Sequence, residues 1–187
     1  MSEWHAIDNL VASWRARRIL SHIPPHSIVC DIGCGKNGVF LQSIQHRITK
    51  GYGFDRRVET SSSENIELCE LDDIQRGIPL ESSSCDCVVL LAVLEHFDYP
   101  EQVIAEVARI LKPAGTLILT TPAPIAKPVL ECLAFFRILN KDEIDDHKHY
   151  FSQTDLRHLL SRDFAGLDYR RFMLGMNQSV VAQRSDV

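Results

Sequence analysis

Apolar and polar residues alternate along the chain with two different periods. Trp4, Ile7, Val11 and Trp14 recur at helical spacing, which predicts an N-terminal helix within residues 1–22. "SIVCDI" (27–32) reads as a short buried strand, and a glycine loop then leads into a helix that carries Val39, Phe40 and Ile44. "YGFD" (52–55) ends a second strand and "NIELCEL" (65–71) alternates as a third. "CDCVVLL" (85–91) is apolar enough to be covered on both faces. Asp98 and Glu101 have capping-box spacing ahead of Val103, Ile104, Val107, Ile110 and Leu111, an amphipathic helix stopped by "KPAG" (112–115). "TLILTT" (116–121) is a fifth strand, and Pro122, Pro124 and Pro128 punctuate a loop after it. "VLECLAFFRIL" (129–139) reads as an extra helix, and Ser152 as the cap of a helix through Leu156, Leu159 and Leu160. "LDYRRFML" and "QSVVAQR" close the chain as two more strands. The serine clusters at 61–63 and 81–84 read as loops.

This order predicts an α/β fold: a doubly wound, seven-stranded parallel sheet with helices on both faces. The 187 residues, 45% hydrophobic, suffice for one core and one domain, with residues 122–151 inserted on the substrate side. The net charge of −5 and the lack of a long basic run argue against a general nucleic-acid surface. No apolar run long enough to span a membrane occurs, and Glu3, His5 and Asp8 interrupt any signal-peptide layout. The six cysteines form no C-x-x-C pair and read as reduced thiols of a cytoplasmic protein.

The loop "VCDIGCGKNGVF" (29–40) carries the chemistry. Its glycines fit G-x-G-x-x-G, the spacing that cradles a dinucleotide pyrophosphate, but Asp31 stands two positions before Gly33. A carboxylate there repels a diphosphate and favours a cation. S-adenosylmethionine offers an ammonium and a sulfonium and no phosphate. From Ser27 to its end the chain closely resembles a class I S-adenosylmethionine-dependent methyltransferase of the small-molecule type, with a domain like methyltransferase types 11 and 12. The resemblance rests on "VCDIGCGKNG", "YGFD", the run "CELDDIQRGIPLESSSCDCVVLLAVLEHF", "ILKPAGTLILTTP" and "DDHKHYFSQTDLRHLL", in order and at proper spacing.

The resemblance implies a Rossmann-like, seven-stranded, mostly parallel sheet with an antiparallel last strand, S-adenosyl-L-methionine as cofactor and S-adenosyl-L-homocysteine as product. It assigns cofactor contacts to Asp31, Gly33, Cys34, Gly35, Asp55, Arg56, Glu70, Leu71, Asp72 and Ala92. Gly33 and Gly35 admit close backbone approach, or else form only a tight turn. Asp55 can accept both ribose hydroxyls, or simply end a strand. At the third strand the register is open: Glu70 or Asp72 meets the adenine amino group, with the Leu71 amide donating to a ring nitrogen, while Asp73 reads equally as part of a solvated loop. Ala92 and Leu94 line the methionine end of the pocket or belong to the core.

Methyl transfer from a sulfonium needs positioning above all, and a base only for a poorly acidic acceptor. His96 is the candidate base; tying a loop is its other reading. His147, His149 and Tyr150 are candidate substrate-side groups; a metal site built from both imidazoles with Asp145 and Asp146 has only short local spacing in its favour. The 129–139 helix is a lid, a dimer face or plain packing. "RARR" (15–18) meets an acceptor phosphate or a membrane, or is a solvated face.

Within the family, "AVLEH" replaces the Asn/Asp-Pro-Pro-aromatic run of DNA amino-methyltransferases, no Pro-Cys nucleophile occurs, and Glu95 lacks the second glutamate of an arginine clamp. The expected acceptor is therefore a small molecule or a lipid- or glycan-linked group, with no nucleic acid and possible homodimerisation. Two other classes remain: a cofactor-binding regulator without turnover, and an NAD-dependent oxidoreductase, for which no Tyr-x-x-x-Lys pair is found.

Overall fold

A computed structural model describes residues 18–126 and 148–185. The expected helix over 1–22 therefore enters the description only at its end, a 3-10 turn at Leu20–His22, and the expected 129–139 helix lies outside the described residues.

The strands are β1 (Ile28–Ile32), β2 (Lys50–Asp55), β3 (Ser61–Ser63), β4 (Ile66–Glu70), β5 (Cys85–Leu91), β6 (Leu111–Pro122), β7 (Phe164–Phe172) and β8 (Asn177–Arg184). They form one sheet in the order β3-β4-β2-β1-β5-β6-β8-β7. β4, β2, β1, β5 and β6 pair in parallel, while β8 runs antiparallel to both β6 and β7. The fold is thus the expected doubly wound one, with its antiparallel last strand. The eighth strand corrects the reading of residues 61–63 as a loop: Ser61, Ser62 and Ser63 pair antiparallel with Leu68, Glu67 and Ile66. An exposed edge strand buries no side chains, so hydrophobic patterning carries no trace of it.

Two cores fill the faces because alternate strand residues point opposite ways. On one face α1 (Val39–Ile44) and the chain around Ile19 cover Val29, Val89 and Ile118; on the other, α2 (Pro100–Ile110) and α3 (Gln153–Leu160) cover Cys30, Ile32, Val88, Leu90, Leu117 and Leu119. α1 buries Phe40, Leu41 and Ile44, while Val39 at its start is 68% exposed.

The α2 entry also departs from expectation. Pro100 occupies the first turn, where its missing N–H costs nothing, and Tyr99 precedes it with no side-chain cap. Asp98 instead pairs with Lys148 at 2.8 Å. The α3 cap forms as expected: the Asp155 amide donates to Ser152 Oγ at 3.2 Å, and Asp155 Oδ2 accepts from the Ser152 amide at 2.8 Å. Ser152→Ala is expected to cost about 1 kcal/mol in denaturant unfolding, and a change below the error of that measurement would deny the cap any role.

Candidate functional site

Strand order reverses beside β1, which has β2 on one side and β5 on the other. In open α/β sheets ligands gather at the carboxyl edge of such a switch point. β1 delivers Asp31 there, 2% exposed, with Oδ1 lacking any hydrogen-bond partner among the described residues. Burial, and secondarily the nearby Asp55 charge, raise its pKa from 3.8 to about 7.

The chain then turns through Gly33 (φ +76°) and Gly35 (φ +69°). Both the Gly33 and Cys34 amides donate to the Phe54 carbonyl, at 2.7 and 3.2 Å, which binds the loop to the end of β2. A Cβ on Gly33 would stand 2.5 Å from Val93 Cγ2, so its absence serves packing. A Cβ on Gly35 would meet nothing within 4 Å: that glycine borders open space. Gly38, which opens α1 at φ +56°, packs against Leu68 instead, 2.6 Å from where its Cβ would be. The Cys34 thiol is buried, and burial pushes its pKa up, so it offers no thiolate.

Asp55 anchors this loop as well as ending β2. Its Oδ2 accepts from the Gly35 amide at 2.9 Å and its Oδ1 from the Arg57 amide at 2.8 Å. A carboxylate oxygen accepts two hydrogen bonds, so each keeps a lone pair for a ribose hydroxyl. Arg56 is exposed next to it. At the end of β4, Glu70 lies in register with Asp55 and is exposed, as is Asp72. The Leu71 amide donates to the Asp55 carbonyl at 3.1 Å. The expected donation from that amide to an adenine nitrogen is therefore corrected: the bond is spent on holding β2 and β4 together. Asp73, left open between ligand contact and solvated loop, caps the 3-10 turn Ile74–Arg76 by accepting from the Gln75 amide at 3.1 Å.

On the other side of β1, Ala92 follows β5 with φ +56° and donates its amide to Thr120 O at 2.9 Å. Leu94, fully buried, belongs to the core. The turn Leu94–His96 is overlaid by residues 148–149: the Lys148 and His149 amides donate to the Glu95 carbonyl at 2.9 and 3.2 Å. This brings half-buried His96 and His149 to one region, although 53 positions separate them in the chain. His149 also stacks on Phe151 with ring centroids 5.5 Å apart. Tyr150 comes next, half-buried, while His147, Asp145 and Asp146 lie outside the described residues. Among the described residues no three His, Cys, Asp or Glu groups converge on a metal position.

Sequence reasoning missed three buried polar groups near the end of β6. The hydroxyls of Thr120 and Thr121 have no partner among the described residues. Gln178 of β8 donates its amide to Phe151 O at 2.6 Å and to Pro122 O at 3.4 Å, and its Oε1 accepts from Tyr169 at 2.8 Å. Polar residues inside an apolar strand pattern were the available signal.

The arrangement fits S-adenosylmethionine on its own terms: a buried unpartnered carboxylate oxygen calls for a cation, a glycine leaves a cradle open, and a second carboxylate suits vicinal hydroxyls. Residues 4–169 match the family model of the methyltransferase domain. The chain belongs to this family. The methyltransferase is 32% identical over 114 residues to the tRNA (carboxymethyluridine(34)-5-O)-methyltransferase ALKBH8 of Mus musculus, covering 56% of this chain and 16% of that protein. It is 30% identical over 127 residues to the tRNA U34 carboxymethyltransferase of Desulfotalea psychrophila, covering 59% of this chain and 39% of that one. It is 25% identical over 178 residues to the ubiquinone biosynthesis O-methyltransferase of Aeromonas salmonicida, covering 81% of this chain and 72% of that enzyme. The methyltransferase thus spans less than half the length of either tRNA-directed relative. In fold it is similar to an S-adenosylmethionine-dependent methyltransferase from Mesorhizobium loti, with a TM-score of 0.71 and 18% identity over 92% of this chain and 98% of that one.

The chain thus carries a methyltransferase domain whose site fits S-adenosyl-L-methionine as the methyl donor. The expectation of a small-molecule, lipid- or glycan-linked acceptor without nucleic acid is corrected by the two relatives named for tRNA. A net charge of −5 averages over the whole surface and does not report local basic patches. No helix among the described residues is long and apolar enough to cross a membrane.

Proposed function

We propose that this enzyme transfers the methyl group of S-adenosylmethionine to an oxygen atom carried on a tRNA nucleotide. The observation that carries this reading is the 32% identity to an enzyme named for O-methylation of a tRNA carboxymethyluridine. The one-domain organisation, with specificity drawn from the N-terminal segment and residues 122–151, is part of the proposal.

The cofactor brings an activated methyl group. Asp31 holds its cationic end, Gly33, Cys34 and Gly35 admit it closely, and Asp55 takes the ribose hydroxyls. Arg56, Glu70, Leu71 and Asp72 border the adenine, with Leu71 contributing its side chain, and Ala92 borders the methionine end. His96, His149 and Tyr150 stand on the acceptor side, and the sequence resemblance gives His147 the same role. The chain's task is then to orient the acceptor oxygen and exclude water.

A carboxylate acceptor, of the kind that carboxymethyluridine names, is already ionised at pH 7 and needs no base. His96→Gln is therefore expected to change kcat by less than about tenfold; a loss of roughly 10²-fold or more would make His96 the base. The activity is tested by incubating bulk tRNA with the enzyme and isotopically labelled S-adenosylmethionine, then separating the nucleosides. Label in an O-methylated nucleoside is expected. Protein that binds the cofactor but labels no nucleoside would overturn the reading.

A further inference from the structure

The "RARR" run ends at a cleft that the cofactor site does not use. Arg18, Ile19, Ser21 and His22 form one wall, and Asp168, Arg170, Ser179 and Val181 of β7 and β8 the other, around a cavity of ≈ 270 Å³. Asp168 engages the Nε and Nη2 atoms of Arg170, with Nη2 to Oδ2 at 2.8 Å, and so fixes the direction of that guanidinium. Two guanidinium groups against one carboxylate leave the cleft net positive, in a chain whose total charge is −5. Ser21 and Ser179 add hydroxyl donors to a volume suited to a phosphate-sized anion.

Sheet register locates the cleft relative to the cofactor loop. Asp31 pairs with Val89, Val89 with Ile118, Ile118 with Val181, and Val181 with Asp168. The cleft therefore lies level with Asp31 along the strands, and the two share a sheet face because each paired residue points the same way. β8 and β7 are three and four strands from β1, which at about 4.8 Å per strand puts the cleft roughly 14–19 Å from Asp31. One small acceptor cannot touch both places. A nucleic-acid strand, with a phosphate at every nucleotide, can.

We infer that this cleft is a phosphodiester-binding site that grips the RNA backbone a few nucleotides from the methylated one, through Arg18 and Arg170. The inference rests on the reading of tRNA as acceptor. Phosphate contacts fix register without reading sequence, which is what an enzyme needs to bring one chosen nucleotide to a fixed cofactor.

The test is tRNA affinity across a salt series for the wild type and the Arg18→Ala/Arg170→Ala double variant. Arg162→Ala, whose side chain is 88% exposed on another part of the surface, serves as the charge control. The double variant is expected to lose about tenfold or more in affinity and to flatten the salt slope by about 1, with the control near wild type. Its S-adenosylmethionine affinity and thermal midpoint are expected to stay at wild-type values, which separates the effect from misfolding. Equal affinity and slope in the double variant and the wild type would overturn the site, as would a wild type that binds anionic phosphatidylserine vesicles and not RNA. Cleft-dependent RNA binding without nucleoside labelling would sustain the site and sink the tRNA-methylation reading. Nucleoside labelling with no dependence on the cleft would do the reverse.

Discussion

Replacing Asp31 with Asn is expected to strengthen the fold and cripple the enzyme. The folded-state pKa of about 7 lies above the ordinary 3.8, so the folded protein holds this proton more tightly than the unfolded chain does. The stabilisation from that proton is complete below about pH 4 and is lost as pH rises to 7. The difference corresponds to about 4 kcal/mol. Asn carries no such liability, and at pH 8 the ligand-free variant is expected to melt about 10 °C higher than the wild type. The same ionised carboxylate is what a cationic ligand needs. Removing one partner of a buried ion pair is expected to weaken S-adenosylmethionine binding by roughly 10²-fold or more. In the wild type, affinity is expected to fall about tenfold per pH unit below 7, as Asp31 takes up its proton. Calorimetric titrations between pH 5 and pH 8 check this, and the Asn variant is expected to show no such dependence. A variant that binds as tightly as wild type, or melts lower at pH 8, would remove Asp31 from the binding account.

The second large effect separates two glycines that look alike in the sequence. Gly33→Ala puts a methyl group 2.5 Å from Val93 Cγ2 at a φ of +76°, and is expected to destabilise the fold by about 2 kcal/mol or more. Gly35→Ala meets no protein atom within 4 Å. Its cost to the fold is expected to be only about 1 kcal/mol, from the positive φ. Its methyl group projects instead into the space left for the ligand, and a loss of cofactor affinity of roughly tenfold or more is expected, at 1.4 kcal/mol per decade. Thermal melts and cofactor titrations of both variants distinguish the cases. A Gly35→Ala protein with wild-type affinity would show that the open space belongs to solvent.

How much of this was legible in the chain depended on whether the determinant was local. Asp31, Gly33 and Gly35 sit within five residues on a strand and its following turn, so spacing alone places them. Ser152 and Asp155 are likewise a local pair. Asp98 and Glu101 had the same spacing, yet Asp98 bonds Lys148, a partner 50 residues away that no local pattern reveals. The Leu71 amide is committed by the pairing of β4 with β2, and Ser61–Ser63 form a strand because β4 offers them an edge. The Arg18–Arg170 cleft joins residues 152 positions apart. Such features exist only once the sheet is assembled.

Gln178 carries a consequence for how the acceptor side can change. Its one buried amide holds the carbonyls of Pro122 and Phe151, which bound residues 123–150 in the chain, and Tyr169 donates to the Gln178 oxygen in turn. β8 thus ties both ends of this stretch to the sheet. Replacing residues 127–147 with a stretch of different length and chemistry is therefore expected to leave both tied ends in place, so that a lineage keeping this glutamine trades acceptors while retaining its methyl donor.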